Sequence, residues 1–200
     1  LFNSDFPSAE YLWWQNNSGW FQFDWALLLL NKISSSNRFI TFHRYGMNTD
    51  NWRFGFTEAI MAEYENWSAA EIGYIMPASL LLETEENRGV NANLMWLVDG
   101  VFKWNQWTFY GELLIDDFAL DQKSPPQIAI SSGLGKKINR LSFNAEYVRV
   151  NRWTGNYCNS IKRWVEKGVP IGHSIGSDAH NFSFSSFIYF DPKMALELSF

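Results

Sequence analysis

The feature that most restricts the fold is a two-residue period held over segments of about ten residues. Trp107, Phe109, Gly111, Leu113 and Ile115 share one side of such a segment. Thr108, Tyr110, Glu112 and Asp116 share the other, with Leu114 as the exception. Successive side chains of a strand point to opposite faces, so this alternation predicts a sheet with one apolar and one polar face. The same pattern sets Leu94, Trp96, Val98, Phe102 and Trp104 against Asp99 and Lys103. It sets Leu141, Phe143, Ala145 and Tyr147 against Ser142, Asn144 and Glu146. It recurs around Trp52 to Thr57, Phe182 to Phe190 and Met194 to Phe200.

Segments of about ten residues match a tilted membrane-spanning strand, whereas strands of globular proteins run nearer five or six. Trp52, Trp104, Trp107 and Trp153 stand toward segment ends, where interfacial girdles place aromatics. The alternative is a soluble sandwich or lectin with long twisted strands. Strands are expected near 19–31, 38–46, 52–62, 93–104, 107–117, 127–136, 141–150, 181–190 and 194–200.

The connections between them alternate in length. Asn105-Gln106, Lys137 to Arg140 and Asp191-Pro192-Lys193 are tight, whereas 63–92, 118–126 and 151–180 are longer. Outer-membrane barrels have short periplasmic turns and long extracellular loops. On that assignment the segment from Met194 runs outward, so further strands are expected after Phe200 and before Leu1. The expected fold is all-β: an antiparallel transmembrane β-barrel of outer-membrane type, as a single domain over 1–200. The chain supplies an incomplete segment of about nine or ten strands. Ser68-Ala69-Ala70-Glu71 reads as a capping box and Pro77 suits a first helical position, so the 63–92 loop is expected to carry short helical turns. Its apolar Ile75, Met76, Leu80, Leu81 and Leu82 suggest that it folds onto something, with the barrel mouth as the first candidate.

Composition narrows the function. The 200 residues include 11 Trp, 8 Tyr and 17 Phe, yet mean hydropathy is only −0.23. Many aromatics with middling hydropathy fit a wall that is apolar outside and polar inside. The longest apolar run, Trp25 to Leu30, is far short of the ~20 residues of a membrane helix. The net charge is −5 with no basic cluster, which leaves nucleic acid no electrostatic footprint. Cys158 is the only cysteine, excluding an internal disulfide and a thiolate zinc cage.

Few residues suggest catalysis. Glu112, Asp116 and Asp117 are the densest carboxylates near a strand end, but adjacent residues of a strand point apart. Their plainer role is loop capping or pairing with an arginine. His43-Arg44 on a strand reads as a wall ion pair or hydrogen bond. His173, Asp178 and His180 lie in a glycine-bearing run without the rigid spacing of a metal site. No phosphate-binding glycine loop and no nucleophile elbow occur. No cofactor, metal or catalytic activity is expected. Trp153, Tyr157, Trp164 and Tyr64 beside Asn and Asp would suit stacking on sugar rings, and would equally suit a girdle.

Four strings carry a family resemblance: His43-Arg44, Leu114 to Phe118, Glu146 to Thr154, and Gly172 to Ala179. Their order and spacing over roughly 38–190 resemble the Wzi family of capsule-assembly proteins. The resemblance implies an outer-membrane barrel whose outer surface holds capsular polysaccharide as a lectin, not as an enzyme. The partners it implies are capsular or other surface polysaccharide and outer-membrane lipid. The residues chosen for sugar contact, from strand ends and loops on the outward side, are Asp116, Asp117, Arg149, Asn151, Trp153, His173 and Asp178. A channel lined by Arg53, Asp99, Lys103, Glu112 and Glu146 is the second reading, and an outer-membrane hydrolase the third.

Overall fold

The computed structural model describes residues 9–33, 35–64, 73–77, 81, 92–117, 127–156, 163–191 and 194–200. The capping-box residues 68–71, Cys158, Tyr157, Leu80 and Leu82 lie outside them.

The protein is all-β. Ten antiparallel strands form one sheet: β1 (Glu10–Ser18), β2 (Phe21–Ile33), β3 (Ser36–Asn48), β4 (Trp52–Tyr64), β5 (Asn93–Trp104), β6 (Trp107–Asp117), β7 (Gln127–Ile138), β8 (Leu141–Val150), β11 (Ala179–Asp191) and β12 (Met194–Ser199). Each pairs with its neighbour in that order, and β1 and β12 are the edges. Two short strands, β9 (Val165–Glu166) and β10 (Val169–Pro170), make a separate hairpin between β8 and β11. Residues 73–75 are helical, in the region expected to carry helix.

β1 was not expected as a strand, because Tyr11-Leu12-Trp13-Trp14 followed by Gln15-Asn16-Asn17 breaks the alternation. Its full ladder with β2 forms it nonetheless. The expected strand from 19 instead begins at Phe21, because Gly19 is left-handed (φ 61) and makes a turn with Trp20. Asn105 and Asn139 take the same left-handed region (φ 53 and 51) in the tight turns β5–β6 and β7–β8. Asparagine tolerates that conformation better than most residues.

The ladders sort the side chains onto two faces. Trp52, Phe102, Phe109 and Leu134 stand in register across β4 to β7, as do Val98, Leu113, Ile130 and then Arg149 across β5 to β8. Phe21, Met47, Tyr147, Phe182, Phe184, Leu196 and Leu198 lie on the same face. All of these aromatics and Leu113, Ile130 and Leu134 are exposed. Trp20, Trp52, Trp104 and Trp107 gather at the short-turn end, where the Lys136 ammonium sits 4.3 Å from the Trp107 ring centroid. The opposite face carries Asp24, Arg44, Arg53, Asp99, Lys103, Glu112, Asn144, Glu146 and Ser183.

Each face is covered at the long-loop end. On the polar face, Leu30, Ile40, Met61, Met95, Leu114 and Val148 pack with Trp164 and Ile171 of the 151–178 connection. This resolves the Leu114 exception: it faces inward beneath a loop that supplies apolar partners. On the apolar face, Tyr74 and Leu81 pack with Phe39, Ile60 and Ala62. The 63–92 loop was expected to fold onto something, and its described part lies on the apolar side of the sheet, with Tyr74 and Leu81 against Phe39, Ile60 and Ala62.

Candidate functional site

The polar face is organised by two glycines that let long side chains reach across a strand. Arg44 on β3 donates to both carboxylate oxygens of Asp99 on β5, at 2.6 and 2.7 Å. Gly55 of β4 lies between them, and a Cβ there would overlap both groups. Tyr110 on β6 likewise exchanges hydrogen bonds with Asn144 on β8, at 3.2 and 3.3 Å, over Gly133 of β7. Asp24 accepts from the Gln15 and Gln22 amides, each at 2.6 Å, and stands 3.9 Å from Arg44. A cavity of about 240 Å³ follows this face past Arg53, Asp99, Tyr110 and Glu112. The expected wall ion pair thus belongs to Arg44. His43 is fully buried on the other face, where its ladder partner is the buried Glu58. Nothing in the sequence marked Glu58, which on that face also meets the Trp96 side chain and the Leu81 backbone.

The described parts of the 151–178 connection lie over the long-loop end of the polar face, held by polar anchors. Asp116 Oδ2 accepts the Gly155 N–H at 2.6 Å. The Gln127 amide, with its nitrogen as donor, reaches the same oxygen and the Trp153 carbonyl, both at 3.2 Å. The Trp164 N–H donates to the Gly155 carbonyl, and the Ile171 N–H to the Trp164 carbonyl. In the small hairpin, Lys167 (φ 49) and Gly168 (φ 80) both adopt left-handed backbone, as tight two-residue hairpin turns require. That turn presents Glu166 to Arg38 of β3. The pair is 2.9 Å apart and each side chain is 1% exposed. Arg38 also donates to the Val165 carbonyl from both terminal nitrogens at 3.1 Å, and to the Asn31 carbonyl. Glu166 accepts the Asn31 N–H.

The residues chosen for sugar contact separate into three groups. Arg149, Asn151 and Trp153 follow one another in the chain where β8 leaves the sheet, and of these Arg149 and Asn151 are in contact. Arg149 is exposed and its Nε donates to Asn151 Oδ1 at 3.3 Å, while the Asn151 N–H is tied to the Ile128 carbonyl. Trp153 is exposed, with the Arg152 guanidinium 5.2 Å from its ring centroid. His173 and Asp178 lie further along the connection. His173 is half-buried and its Nδ1 accepts the Ile175 N–H at 3.3 Å. Burial lowers its pKa below the ordinary histidine value, which favours the neutral ring. Asp178 is exposed and left-handed (φ 59) at the entry to β11. Asp116 is buried, and its carboxylate anchors the loop. Asp117 ends β6 opposite Gln127, and its side chain is outside the description.

Two aromatic expectations change. Trp164 is 3% exposed and belongs to the apolar core, and Tyr64 ends β4 half-buried beside Phe39. Among the described residues no group of three His, Cys, Asp or Glu is placed to hold a metal, and no helix is long and apolar enough to cross a membrane.

Replacing Asp116 by alanine leaves the Gly155 N–H without its acceptor, which costs about 1–3 kcal/mol. The expected outcome is faster proteolysis within 151–178 with no change in the length of incubated polysaccharide. A change in polysaccharide length on exposure to the unmutated protein, lost in the variant, would assign Asp116 to hydrolysis instead. No family model matches this chain, and neither a curated protein nor a solved structure matches it.

Proposed function

We propose that this chain is the wall of an outer-membrane β-barrel that binds surface polysaccharide without catalysis. The observation that carries the membrane reading is the apolar face. Across the sheet it exposes Phe54, Phe102, Phe109, Leu113, Leu134, Phe182, Phe184 and Leu198, while most charged groups of the strands gather on the other side; the exceptions include Lys136 at the short-turn end, and Glu58 (buried) and Arg149 toward the long-loop end. A sheet in water covers such a face with a second layer. Lipid covers it equally well, and the strands have the length that a bilayer needs. The apolar face would then be the outside of the barrel and the short-turn tryptophans one of its girdles.

The capsule role comes from the resemblance of the four strings to Wzi-type proteins. It is supported by two contacts on the long-loop side, Arg149 with Asn151 and the Arg152 guanidinium with the Trp153 ring. Such groups suit stacking on sugar rings and bonding of hydroxyls. The packed roof of Trp164 and Ile171 weighs against an open channel, which is the second reading. Deleting the gene is expected to release polysaccharide from the cell surface into the medium, measured in separated cell and supernatant fractions. Normal surface retention in the deletion strain would overturn the capsule role and leave the barrel standing. Recovery of the protein from the soluble fraction would overturn the barrel.

A further inference from the structure

Between the 151–178 connection and the ends of β5, β7 and β8 lies a cavity of about 190 Å³. A water molecule occupies about 30 Å³ of liquid, so the space equals about six waters. That suits one pyranose ring, and it is below the roughly 300–1,000 Å³ of sites for larger ligands. Trp164 and Met95 supply an apolar wall, and Thr154, Asn156, His173 and Ser177 supply polar groups. Among the described residues that line the space, none carries a formal charge while His173 is neutral.

The groups around the space are of the kind that hold a sugar, with the buried Trp164 indole as part of the wall. His173 Nδ1 is already an acceptor for Ile175, so the neutral ring carries its proton on Nε2, as a donor. The Thr154 hydroxyl donates to the Ile128 carbonyl, which leaves its oxygen free to accept. An indole wall with separate donors and acceptors matches a sugar, whose ring presents C–H groups on one side and hydroxyls at its edge.

We propose that this cavity binds one uncharged sugar unit, presented as a chain end or a side branch of the polysaccharide. The proposal rests on the polysaccharide-binding reading above and sharpens it in two ways. A site with room for one ring grips an end or a branch, not the middle of a linear chain. The described lining holds no cation to give counter-charge to a uronate or a phosphate, so such units are disfavoured by desolvation.

The test uses the full chain in detergent micelles and the methyl glycosides of glucose, galactose, mannose and N-acetylglucosamine, with glucuronate as the charged comparison. Binding is read by saturation-transfer NMR and titration calorimetry. At least one neutral glycoside is expected to bind saturably in the millimolar range, at least tenfold more tightly than glucuronate. Gly172 borders the cavity, and a Cβ built there meets nothing within 4 Å. Gly172→Leu is therefore expected to weaken binding at least tenfold, and the milder Gly172→Ala less. Absence of saturable binding by every neutral glycoside, preference for glucuronate, or unchanged binding in Gly172→Leu would overturn the site. Saturable binding together with normal polysaccharide retention in the deletion strain would keep the site and overturn the capsule role.

Discussion

Leu113→Arg is expected to destabilise the protein in lipid vesicles by about 2–4 kcal/mol, the depth-dependent cost of a cation on the lipid side of a barrel. Leu113 is central in β6, with Val98 and Ile130 as its ladder partners, and it is 37% exposed. At a surface position facing water the same exchange would stay within about 0.5 kcal/mol. The substitution therefore separates the two environments by more than experimental error. Ser183→Lys is the control. Ser183 pairs with Glu146 on the polar face, and a new cation there gains an opposite charge. It is expected to change stability by less than about 0.5 kcal/mol. Urea unfolding in vesicles, followed by tryptophan fluorescence, measures both. Equal and small effects for the two variants would sink the assignment of the apolar face to lipid.

Arg38→Met is expected to free the 151–178 connection while the sheet persists. The Arg38–Glu166 pair is almost fully buried, and removing one partner leaves an uncompensated charge, a loss of about 3–5 kcal/mol. At 1.4 kcal/mol per factor of ten, the open population of the loop rises about a hundredfold or more. Limited proteolysis should then cut within 163–176 under conditions that leave the unmutated protein intact. The double variant Arg38→Met, Glu166→Met is expected to be cut less than the single one, because no lone charge remains. Cleavage of all three proteins at the same rate would show that the pair does not hold the roof. Ion conductance in planar bilayers adds a functional reading: on the proposal that the sheet belongs to a barrel, one roofed by this loop should conduct more in Arg38→Met.

The long strands from β4 to β12 were legible because each faces two different environments along most of its length, whereas the β9–β10 hairpin fell in what was read as a loop. Alternation fails where both faces are covered. Trp25 to Leu30 reads as an unbroken apolar run because Leu30 packs under the 151–178 roof, whereas Leu27 and Leu29 pack beside Phe39 on the other face. Leu114 broke its pattern for the same reason. The plain role first weighed for Asp116, capping a loop, is the contact it makes with Gly155. What local pattern cannot show is a partner far along the chain. Glu166 meets Arg38 across 128 positions, and no spacing rule links them. The cavity beside Trp164 was equally hidden. Its walls come from β5, β7, β8 and a loop, and only folding brings Met95 and His173 to one space.

The order of the strands also bears on how the chain reaches this state. In the large sheet every strand joins its predecessor in the sequence order of the ladder. Such pairing needs only short loop closures, except where 65–92, 118–126 and 151–178 intervene, and short closures are fast. The Arg38–Glu166 latch belongs to another class, because it waits until β3 and the β9–β10 hairpin are both in place. Refolding should therefore show two phases: an early one in which hairpins zip together, and a later one in which the roof closes. Arg38→Met should slow or abolish only the second.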